Sequence, residues 1–531
     1  MKEQDLKEQD DILAKVSDDY DPDVYINLLL ARLAQICDFP VLRYKGRDIV
    51  ASDFLKSIFQ YARALSSIGI ECGSVIAFIA PNRPEALAIR YAANLLGAAT
   101  TYLSAPVSAQ CRMEQTAQIN PALLVVFNET AHLLPDEKTT RVAAIGIDLA
   151  GASLRLDELA AAQLDAPIVS LARRDDVAVI ISSGGTTGVP KGSWRNFAAY
   201  TALVHAPVPS GRRQLINGPL AYLSQVLIDM TLLGGGSVVL ENSYDAASTL
   251  MAIESERITD LFLVEPQLFE VMDHPDVNRR DLSSLRTLTH IGDSAPPTLR
   301  LRARERLGAV LVHTYGASEM GVVSSLSAAE HDLDHLELFT CAGQIRHGVE
   351  VQFRRDDGTL AEPGETGSIE VRSPAMASGY RNRPDSQATS FIDGWYRTGD
   401  LGFLDASGYL HILGRATDIK WIDGTMLVPT LIQDRLCRIP TVRYAVVVKD
   451  RNEDQWIAAV VPWISLSVDT VQCLKAIAEL HSTAPIFVVP LNRIPLTEQG
   501  KPDRDAICQL GREAADSAGR IRGGTRTAAI S

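Results

Sequence analysis

The sequence predicts an α/β fold: a large N-terminal domain of parallel α/β sheets plus a small β-barrel-like subdomain, followed by a small α+β C-terminal domain. Through the first two thirds of the chain, short apolar runs alternate with amphipathic stretches, which is the rhythm of parallel strands joined by helices. Between about residues 349 and 413, short strands are separated by Asp-Gly, Pro-Gly and Ser-Gly turns, a pattern typical of an antiparallel sheet or barrel. After Gly414, strands and helices are mixed over roughly a hundred residues, which suits one compact domain.

The individual elements follow from the length and period of the apolar runs. The runs expected to form strands in the N-terminal domain are Val75–Ala80, Ala122–Phe127, Val177–Ile181, Ser237–Leu240, Thr259–Val264 and Val310–Thr314. Helical patterns lie between them, as at Pro84–Leu96 and Ala246–Ser255. The elements expected in the C-terminal domain are helices near Thr430–Cys437 and Val471–Leu480 and strands at Ala445–Lys449 and Trp456–Pro462.

These elements set the expected domain limits. The N-terminal domain is assigned to residues 1–413, with 349–413 as its β-rich subdomain, and the C-terminal domain to residues 414–515. Residues 516–531 are rich in alanine, glycine, arginine and threonine and offer little to bury. We therefore expect them to form a disordered tail.

Composition and charge exclude several functional classes. Of the 531 residues, 46% are hydrophobic and 22% are charged, which is typical of a globular enzyme and argues against a disordered or membrane protein. A net charge of −14, with acidic and basic residues interspersed, leaves no basic stripe for nucleic acid or anionic lipid. The seven cysteines form no Cys-x-x-Cys pair, and the polar start of the chain lacks the apolar stretch of a signal peptide. We expect a cytoplasmic protein without membrane insertion; the sequence does not indicate an oligomeric state.

One loop carries the strongest chemical signal. The apolar run Val177–Ile181 is followed from Ser182 to Gly192 by Ser-Ser-Gly-Gly-Thr-Thr-Gly-Val-Pro-Lys-Gly. Glycines let main-chain N–H groups converge on one point, hydroxyls add further donors, and Lys191 supplies positive charge. The lysine is not followed by serine or threonine as in the P-loop of kinases and ATPases. This loop therefore predicts a polyphosphate site of another kind, at the carboxyl end of a strand.

Five further segments follow the loop in a fixed order. They are His313-Thr-Tyr-Gly-Ala-Ser-Glu319, Gly364-Glu-Thr-Gly with Gly379-Tyr380, Trp395-Tyr-Arg-Thr-Gly-Asp400, Gly414-Arg-Ala-Thr-Asp-Ile-Lys420 and Pro495-Leu-Thr-Glu-Gln-Gly-Lys501. With the loop, they resemble the adenylate-forming superfamily of AMP-binding enzymes, which includes acyl-CoA synthetases, aryl- and amino-acid-activating enzymes and firefly luciferase. The resemblance spans nearly the whole chain. It implies that a carboxylate joins the α-phosphate of ATP with release of pyrophosphate, and that the C-terminal domain is a mobile lid.

The resemblance also implies roles for individual residues. Those expected to hold the phosphates of ATP are Ser182, Ser183, Gly184, Thr186, Thr187 and Lys191. Those expected around adenine and ribose are Gly292, Asp293, Tyr315, Gly316, Asp400 and Arg415. The expected catalytic residues are Ser318 at the α-phosphate, Glu319 as the ligand of Mg²⁺, and Lys501 between the acid's carboxylate and the α-phosphate.

Departures from the family pattern bear on the acid. Pro219-Leu-Ala-Tyr222 has a tyrosine where α-amino-acid activators have an aspartate, and a tyrosine cannot balance an ammonium charge. A fatty or aromatic acid is therefore expected, with Tyr222 and His290 in its binding site. Thr417 lies at the expected hinge of the lid, and His313 replaces an asparagine found in many relatives.

The acceptor of the activated acid is expected to come from outside the chain, because no carrier-protein segment follows the lid motif at Lys501. Coenzyme A is the favoured acceptor, with Gly424 near its pantetheine arm, so the predicted enzyme is an AMP-forming acyl-CoA synthetase of fatty acid metabolism. A stand-alone enzyme that loads a separate carrier protein is the alternative. Two more distant alternatives are a non-catalytic nucleotide-binding homologue and a luciferase-like oxygenase.

Overall fold

A computed structural model describes residues 21, 24–103, 108–134, 140–147, 154–182, 191–292, 296–481, 483–497 and 500–521, with the side chains of 516–521 excepted. Its helices are α1 (Tyr25–Gln35), α2 (Ala51–Ser67), α3 (Pro84–Leu95), α4 (Ala109–Ile119), α5 (Leu156–Ala161), α6 (Phe197–Val204), α7 (Gln225–Leu233), α8 (Ala246–Ser255), α9 (Glu265–Met272), α10 (Pro297–Leu307), α11 (Pro384–Ser390), α12 (Pro429–Cys437), α13 (Thr470–Ala478) and α14 (Arg504–Ile521). Residues 183–190, 293–295 and 498–499 of the predicted site segments lie outside the described residues.

The strands follow the predicted alternation with the helices. They are β1 (Pro40–Tyr44), β2 (Arg47–Val50), β3 (Val75–Ile79), β4 (Ala99–Tyr102), β5 (Leu123–Phe127), β6 (Val142–Ile145), β7 (Leu154–Arg155), β8 (Val177–Ser182), β9 (Gly192–Asn196), β10 (Arg213–Ile216), β11 (Ser237–Leu240), β12 (Asp260–Leu263), β13 (Thr287–Ile291), β14 (Leu311–Ala317), β15 (Gly321–Leu326), β16 (Gln344–Ile345), β17 (Glu350–Arg354), β18 (Gly367–Arg372), β19 (Gly379–Tyr380), β20 (Phe391–Ile392), β21 (Trp395–Leu404), β22 (Leu410–Arg415), β23 (Lys420–Ile422), β24 (Thr425–Leu427), β25 (Val442–Asp450), β26 (Gln455–Pro462) and β27 (Ile486–Pro490).

Two large sheets form the main part of the molecule. One has the strand order β19-β9-β8-β4-β3-β5-β6-β7 and the other β16-β15-β14-β13-β12-β10-β11-β1-β2, with parallel pairing along their centres. The largest hydrophobic cluster joins strands of both sheets through α1, α2, α3, α6 and α7, so these helices are packed between the sheets. The predicted α/β class with largely parallel sheets is confirmed.

A smaller sheet follows, with order β17-β18-β21-β20 and β22 paired to β21. All of its pairings are antiparallel, as the Asp-Gly and Pro-Gly turns predicted. Its strand β22 pairs Asp400 with Arg415 and leads directly into the C-terminal part of the chain. We call the described residues up to 413 the body and residues 414–521 the lid.

The lid consists of the hairpin β23–β24, the sheet β25-β26-β27 and helices α12 to α14. One face of its sheet belongs to a hydrophobic cluster that also contains α9 and α10 of the body. Helix α14 continues to Ile521, so residues 516–521 are helical and not part of a disordered tail. The reason is that Ile507, Cys508 and Ala514 anchor the helix on the lid sheet, and an anchored helix extends at little cost.

In the part of the chain that the structure describes, the search for a helix long and apolar enough to cross a bilayer finds none.

Candidate active site

A cavity of about 1310 Å³ lies between the body and the lid, and we call it the cleft. Both parts of the molecule contribute to its walls. The predicted site residues that line it are Lys191, Tyr222, Gly292, Tyr315, Gly316, Ser318, Glu319, Asp400, Arg415 and Lys501. Segments separated by more than 300 residues in sequence therefore meet at one cavity.

The phosphate end of the cleft begins where β8 ends. Ser182 is the last residue of β8 and is buried, and its hydroxyl accepts a hydrogen bond from Gln115 Nε2 at 2.7 Å. Lys191 lies at the far end of the predicted phosphate loop, with its Nζ 5.0 Å from the centre of the Tyr380 ring. This cation–π contact holds the ammonium group at the cleft wall. The loop residues Ser183, Gly184, Thr186 and Thr187 lie outside the described residues.

Glu319 occupies the tight turn between β14 and β15. It is only 6% exposed, and its Oε1 accepts a hydrogen bond from the Tyr380 hydroxyl at 2.9 Å. Gly316 makes this hairpin possible, because a Cβ atom there would lie 2.4 Å from the carbonyl oxygen of Gly321. Tyr380 therefore touches both the predicted metal ligand and the predicted phosphate lysine.

The donor set around Glu319 fits magnesium that arrives with its nucleotide. Among the described residues, no group of three or more His, Cys, Asp or Glu side chains could hold a metal ion. Mg²⁺ bound to a nucleotide needs only one or two protein carboxylates, since phosphate oxygens and water complete its shell. Glu319 would supply that carboxylate, and the ion would neutralise phosphate charge.

The ribose end is built on β21 and β22. Asp400 is buried; its Oδ2 accepts a hydrogen bond from the Tyr315 hydroxyl at 2.6 Å and its Oδ1 lies 3.3 Å from Arg415 Nε. Arg415 is fixed by a second bond to the carbonyl of Thr398 at 2.6 Å. Burial raises the pKa of Asp400 and the Arg415 charge opposes that rise. The carboxylate is thus oriented, and each of its oxygens keeps a lone pair for a further donor; the predicted donors are the ribose hydroxyls.

Lys501 reaches the body from the lid. A Cβ atom built on Gly292 would lie 3.1 Å from Lys501 Cε and 3.2 Å from Nζ, so the end of the lysine side chain lies against Gly292 and would have to shift slightly for a larger residue. Gly292 also has a φ of 102°, which favours glycine. The backbone of the lysine is held by a bond from Thr497 N to Lys501 O at 2.7 Å. The lid therefore carries this ammonium group to the wall of the nucleotide site.

The docked lid is fastened by two carboxylates. Asp434 of α12 accepts hydrogen bonds from the backbone N and the hydroxyl of Thr298, at 2.8 and 2.7 Å. These bonds cap the start of α10 in the body, since the N-cap residue of that helix, Pro296, makes no side-chain hydrogen bond to it. Asp273 of the body is 1% exposed and pairs with Arg443 of the lid at 3.1 Å. Both contacts orient the lid with Lys501 in the cleft.

Near the sequence-predicted acid site the backbone is strained. Tyr222 has φ 62° and ψ −130°, a region that residues other than glycine rarely adopt. It sits in the turn before α7, half-buried, and lines the cleft. The strained turn holds the tyrosine at the cleft wall, and its contact with the acid stays a prediction.

Ser182, predicted to contact the phosphates, is not among the residues that line the cleft, and neither are the two residues predicted to contact the acid and coenzyme A, His290 and Gly424. His290 on β13 is fully buried, and its ring stacks on that of His313 with the Nδ1 atoms 3.0 Å apart. Gly424 is exposed in the turn of the β23–β24 hairpin. In this orientation of the lid, His290 forms the layer behind the wall and Gly424 faces outward; their roles stay predictions.

Sequence reasoning missed several residues of the site. Tyr380 lies in a quoted motif, Gly379-Tyr380, so its position carried a signal that was not used. Gln115, Asp434 and Arg195 carry no local signal, because their partners or cavity are formed by segments far away in sequence. The expected hinge residue Thr417 lies in a short turn beside buried Asp418, which pairs with Arg504 of α14.

Comparison with known proteins agrees with this geometry. Residues 30–381, about two thirds of the chain, match the model of the family described as AMP-binding enzyme. The medium/long-chain-fatty-acid–CoA ligase FadD8 of Mycobacterium tuberculosis is 29% identical over 518 residues, which cover 91% of this chain and 89% of that protein. The feruloyl-CoA synthase of an Amycolatopsis species is 29% identical over 479 residues, covering 87% and 93%.

The fold is similar to that of a solved enzyme. The structure of the amide bond synthetase McbA from Marinactinospora thermotolerans matches with a TM-score of 0.80 and 28% identity, over 91% of this chain and 99% of that one. The similarity of fold therefore extends along nearly the whole length of both chains.

Proposed function

The chain belongs to the AMP-binding enzyme family, and we propose that it is an ATP-dependent acid–CoA ligase that activates a carboxylic acid as its adenylate. ATP with Mg²⁺, coenzyme A and a small-molecule acid are its substrates and cofactors. A fatty or aromatic acid is proposed, since relatives that act on medium- and long-chain fatty acids and on ferulate match over most of the chain.

The observation that carries this proposal is the position of Lys501. Its ammonium group meets Gly292 in the same cleft that is lined by Glu319 and Asp400. An inert nucleotide-binding homologue would gain nothing from a lysine brought by a separate domain to the place where two anions must meet. This arrangement supports catalysis of bond formation at the α-phosphate.

Two steps account for the chemistry. In the first, a carboxylate oxygen of the acid attacks the α-phosphorus, the bond from that phosphorus to the bridging oxygen breaks, and pyrophosphate leaves. Lys501 would stabilise the negative charge on the attacking carboxylate and the α-phosphate, with Ser318 as a hydroxyl donor and Asp400 as the anchor of the ribose. In the second, the sulfur of coenzyme A attacks the carbonyl carbon, the carbon–oxygen bond to AMP breaks, and the thiol proton goes to solvent.

Coenzyme A is favoured over a carrier protein as acceptor. Both enzymes with assigned substrates reported above are named for coenzyme A thioesters, and they match this chain across its lid as well as its body. Gly424 lies in an exposed hairpin of the lid, and we propose that it borders the pantetheine arm of coenzyme A after a change of lid orientation. Support for the thioester product therefore comes from the relatives and from a free lid surface.

An amine is the second candidate acceptor. The amide bond synthetase McbA has the same architecture at 28% identity. An enzyme of that kind shares the first step and differs only in the nucleophile that attacks the adenylate.

A three-arm assay tests the proposal. Pyrophosphate release and products are measured with a panel of fatty and aromatic acids, with coenzyme A, with simple amines, or with no acceptor. We expect AMP, pyrophosphate and an acyl-CoA in equal amounts. Amide in place of thioester would replace the ligase by the second candidate, and acid-independent ATP consumption alone would contradict both.

We also propose a cytoplasmic location. All seven cysteines are free thiols, which suits a reducing compartment. Localisation of a tagged chain by fluorescence microscopy, compared with a secreted control, tests this.

A further inference from the structure

Two fully buried arginines in the body differ in what they bind. Arg90 on α3 has no exposed surface, and its terminal nitrogens form a two-pronged pair with Asp229 at 2.8 and 2.7 Å. Its Nη2 also donates to the hydroxyl of Tyr200 at 2.9 Å. Arg90 shows how this fold satisfies a buried guanidinium: with a carboxylate on its fork.

Arg195 on β9 is buried to the same extent but has no such partner. Its Nε donates to the carbonyl of Ala375 at 2.7 Å, which fixes the plane of the group. Neither of its terminal nitrogens has a hydrogen-bond partner among the residues that the structure describes. The side chain lines the cleft. A rigidly held fork of donors therefore lies buried in the wall of the cleft.

The charge of Arg195 is not neutralised by direct contact within the described structure. Its strongest opposite charge is Glu319, the predicted magnesium ligand, yet no ion pair joins the two side chains. Burial lowers the pKa of Arg195 to about 10, so the guanidinium stays cationic at neutral pH. A buried cation without a bound anion is costly, and the cost is removed when a ligand supplies the anion.

The position of Arg195 on β9 indicates how far it lies from Ser318, which is predicted to contact the α-phosphate. Ser193, two residues earlier on β9, donates its hydroxyl to the carbonyl of Ser318 at 3.3 Å. Alternate residues of a strand share a face, so Arg195 lies about 7 Å further along the same face. Apolar residues line the cleft around Ala375, the residue that accepts the Arg195 bond: a Cβ on Gly321 would lie 3.3 Å from Ala375 Cβ and from Leu203 Cδ1, and all three residues line the cleft. An acid that reaches Arg195 needs an apolar spacer and an anionic far end.

We propose that Arg195 binds a second carboxylate, and that the enzyme's acid is a dicarboxylic acid with an apolar spacer. The proposal rests on the proposed function, because it takes the reacting carboxylate to lie near Ser318. The fork would hold the distal carboxylate through two parallel hydrogen bonds, as Arg90 holds Asp229. Arg195 is then a determinant of acid specificity and takes no part in the transfer itself.

Matched pairs of acids test this. The wild-type enzyme is assayed for pyrophosphate release with octanoate against octanedioate and with cinnamate against para-carboxycinnamate. We expect kcat/KM to be about 100-fold higher for the diacid of the pair that fits, because a buried polar group rejects a substrate that leaves it unpaired. R195M removes the charge at similar length and is expected to abolish this preference, which is read as the ratio of kcat/KM for the diacid to kcat/KM for the monoacid. R195K keeps the charge without the fork and is expected to recover part of the preference.

Control variants separate the alternatives. Arg212 also lines the cleft but already lies 3.7 Å from Asp260, so R212M should leave the diacid preference unchanged even if it lowers stability. Equal loss for both acids in R195M and R195K would mean that Arg195 serves Glu319, and it would overturn the proposal. So would a wild-type enzyme that adenylates monoacids without any diacid preference. Failure of the wild type with every acid would instead reject the proposed function.

Discussion

The nucleotide end and the acid end of the cleft are built in different ways. At the nucleotide end, polar groups are held by one another: Asp400 by Tyr315 and Arg415, and Glu319 by Tyr380. At the proposed acid end, the Arg195 guanidinium is held by a backbone carbonyl, and its terminal nitrogens have no hydrogen-bond partner among the described residues.

This difference separates chemistry from specificity. Polar side chains that are hydrogen-bonded to one another keep a fixed geometry, which suits ATP because it is the same substrate whichever acid is activated. A wall of backbone-anchored side chains can be exchanged without disturbing that geometry. Variants at the two ends should therefore change different kinetic constants.

Removal of the Lys501 ammonium group should have the largest effect. K501A is expected to lower the rate of adenylate formation by about 100- to 1000-fold, because a positioned charge at the reacting atoms is lost. ATP binding, measured by calorimetry, should change little. K475A, an exposed lysine on α13 of the same lid, is the control. Full activity of K501A would contradict its assigned role.

Substitution of Asp400 should change the KM for ATP and leave the KM for the acid nearly unchanged. D400N keeps the shape of the side chain but removes the charge that orients Arg415, and we expect the KM for ATP to rise by about 30-fold. The KM for the acid should stay within twofold of the wild type, by steady-state kinetics with each substrate varied. A parallel rise in both constants would break the separation between the two ends.

The histidine layer behind the wall should make the body sensitive to acid. Burial lowers the pKa of His290 to about 3 and that of His331 to about 4. The unfolded chain binds protons below the ordinary pKa of about 6.5 and the folded chain does not, so stability falls as pH drops from there towards 4. Each buried histidine contributes a slope of about 1.4 kcal/mol per pH unit, or tenfold in the unfolding equilibrium.

Urea unfolding between pH 7 and pH 4 measures this slope. H290Q should lower the slope of unfolding free energy against pH by the contribution of one histidine. His205, after α6, is exposed, so H205Q should leave the slope unchanged. An unchanged slope in H290Q would mean that His290 does not stay neutral in the folded protein.

The lid contact should have the smallest effect. D434A removes the cap that the lid gives to α10, worth about 1 kcal/mol, so adenylation should slow by about fivefold. Thioester formation from pre-formed acyl-adenylate should not slow, because it does not need this lid orientation. D469A removes a cap of the same chemistry within the lid and is the control. Equal slowing of both steps would place Asp434 outside the docking contact.

Much of the fold was predictable because its signals are local. The expected strand Ser237–Leu240 and helix Ala246–Ser255 match the observed bounds, and the other strands differ at their ends by a few residues. The helix beyond residue 516 was missed because composition alone does not show that α14 is anchored on the lid sheet.

Site residues that lie close together in the sequence could be predicted, whereas isolated ones could not. Tyr315, Ser318 and Glu319 lie in one short segment, so a single motif indicated the nucleotide end. Arg195 lies within a strand, and its proposed role depends on its contact with Ala375 and on its place in the cleft wall. Only the folded chain brings these together, so there was no local signal in the sequence. The left-handed backbone of Tyr222 gave no signal either, since glycine is the residue expected there.

In the proposed reaction, an oxygen of the acid becomes bonded to the α-phosphorus of ATP. Acid labelled with ¹⁸O in its carboxylate is incubated with the enzyme, ATP and coenzyme A, and the products are analysed by mass spectrometry. We expect one labelled oxygen in each AMP and none in pyrophosphate. Label in orthophosphate with formation of ADP, or AMP without label, would contradict it.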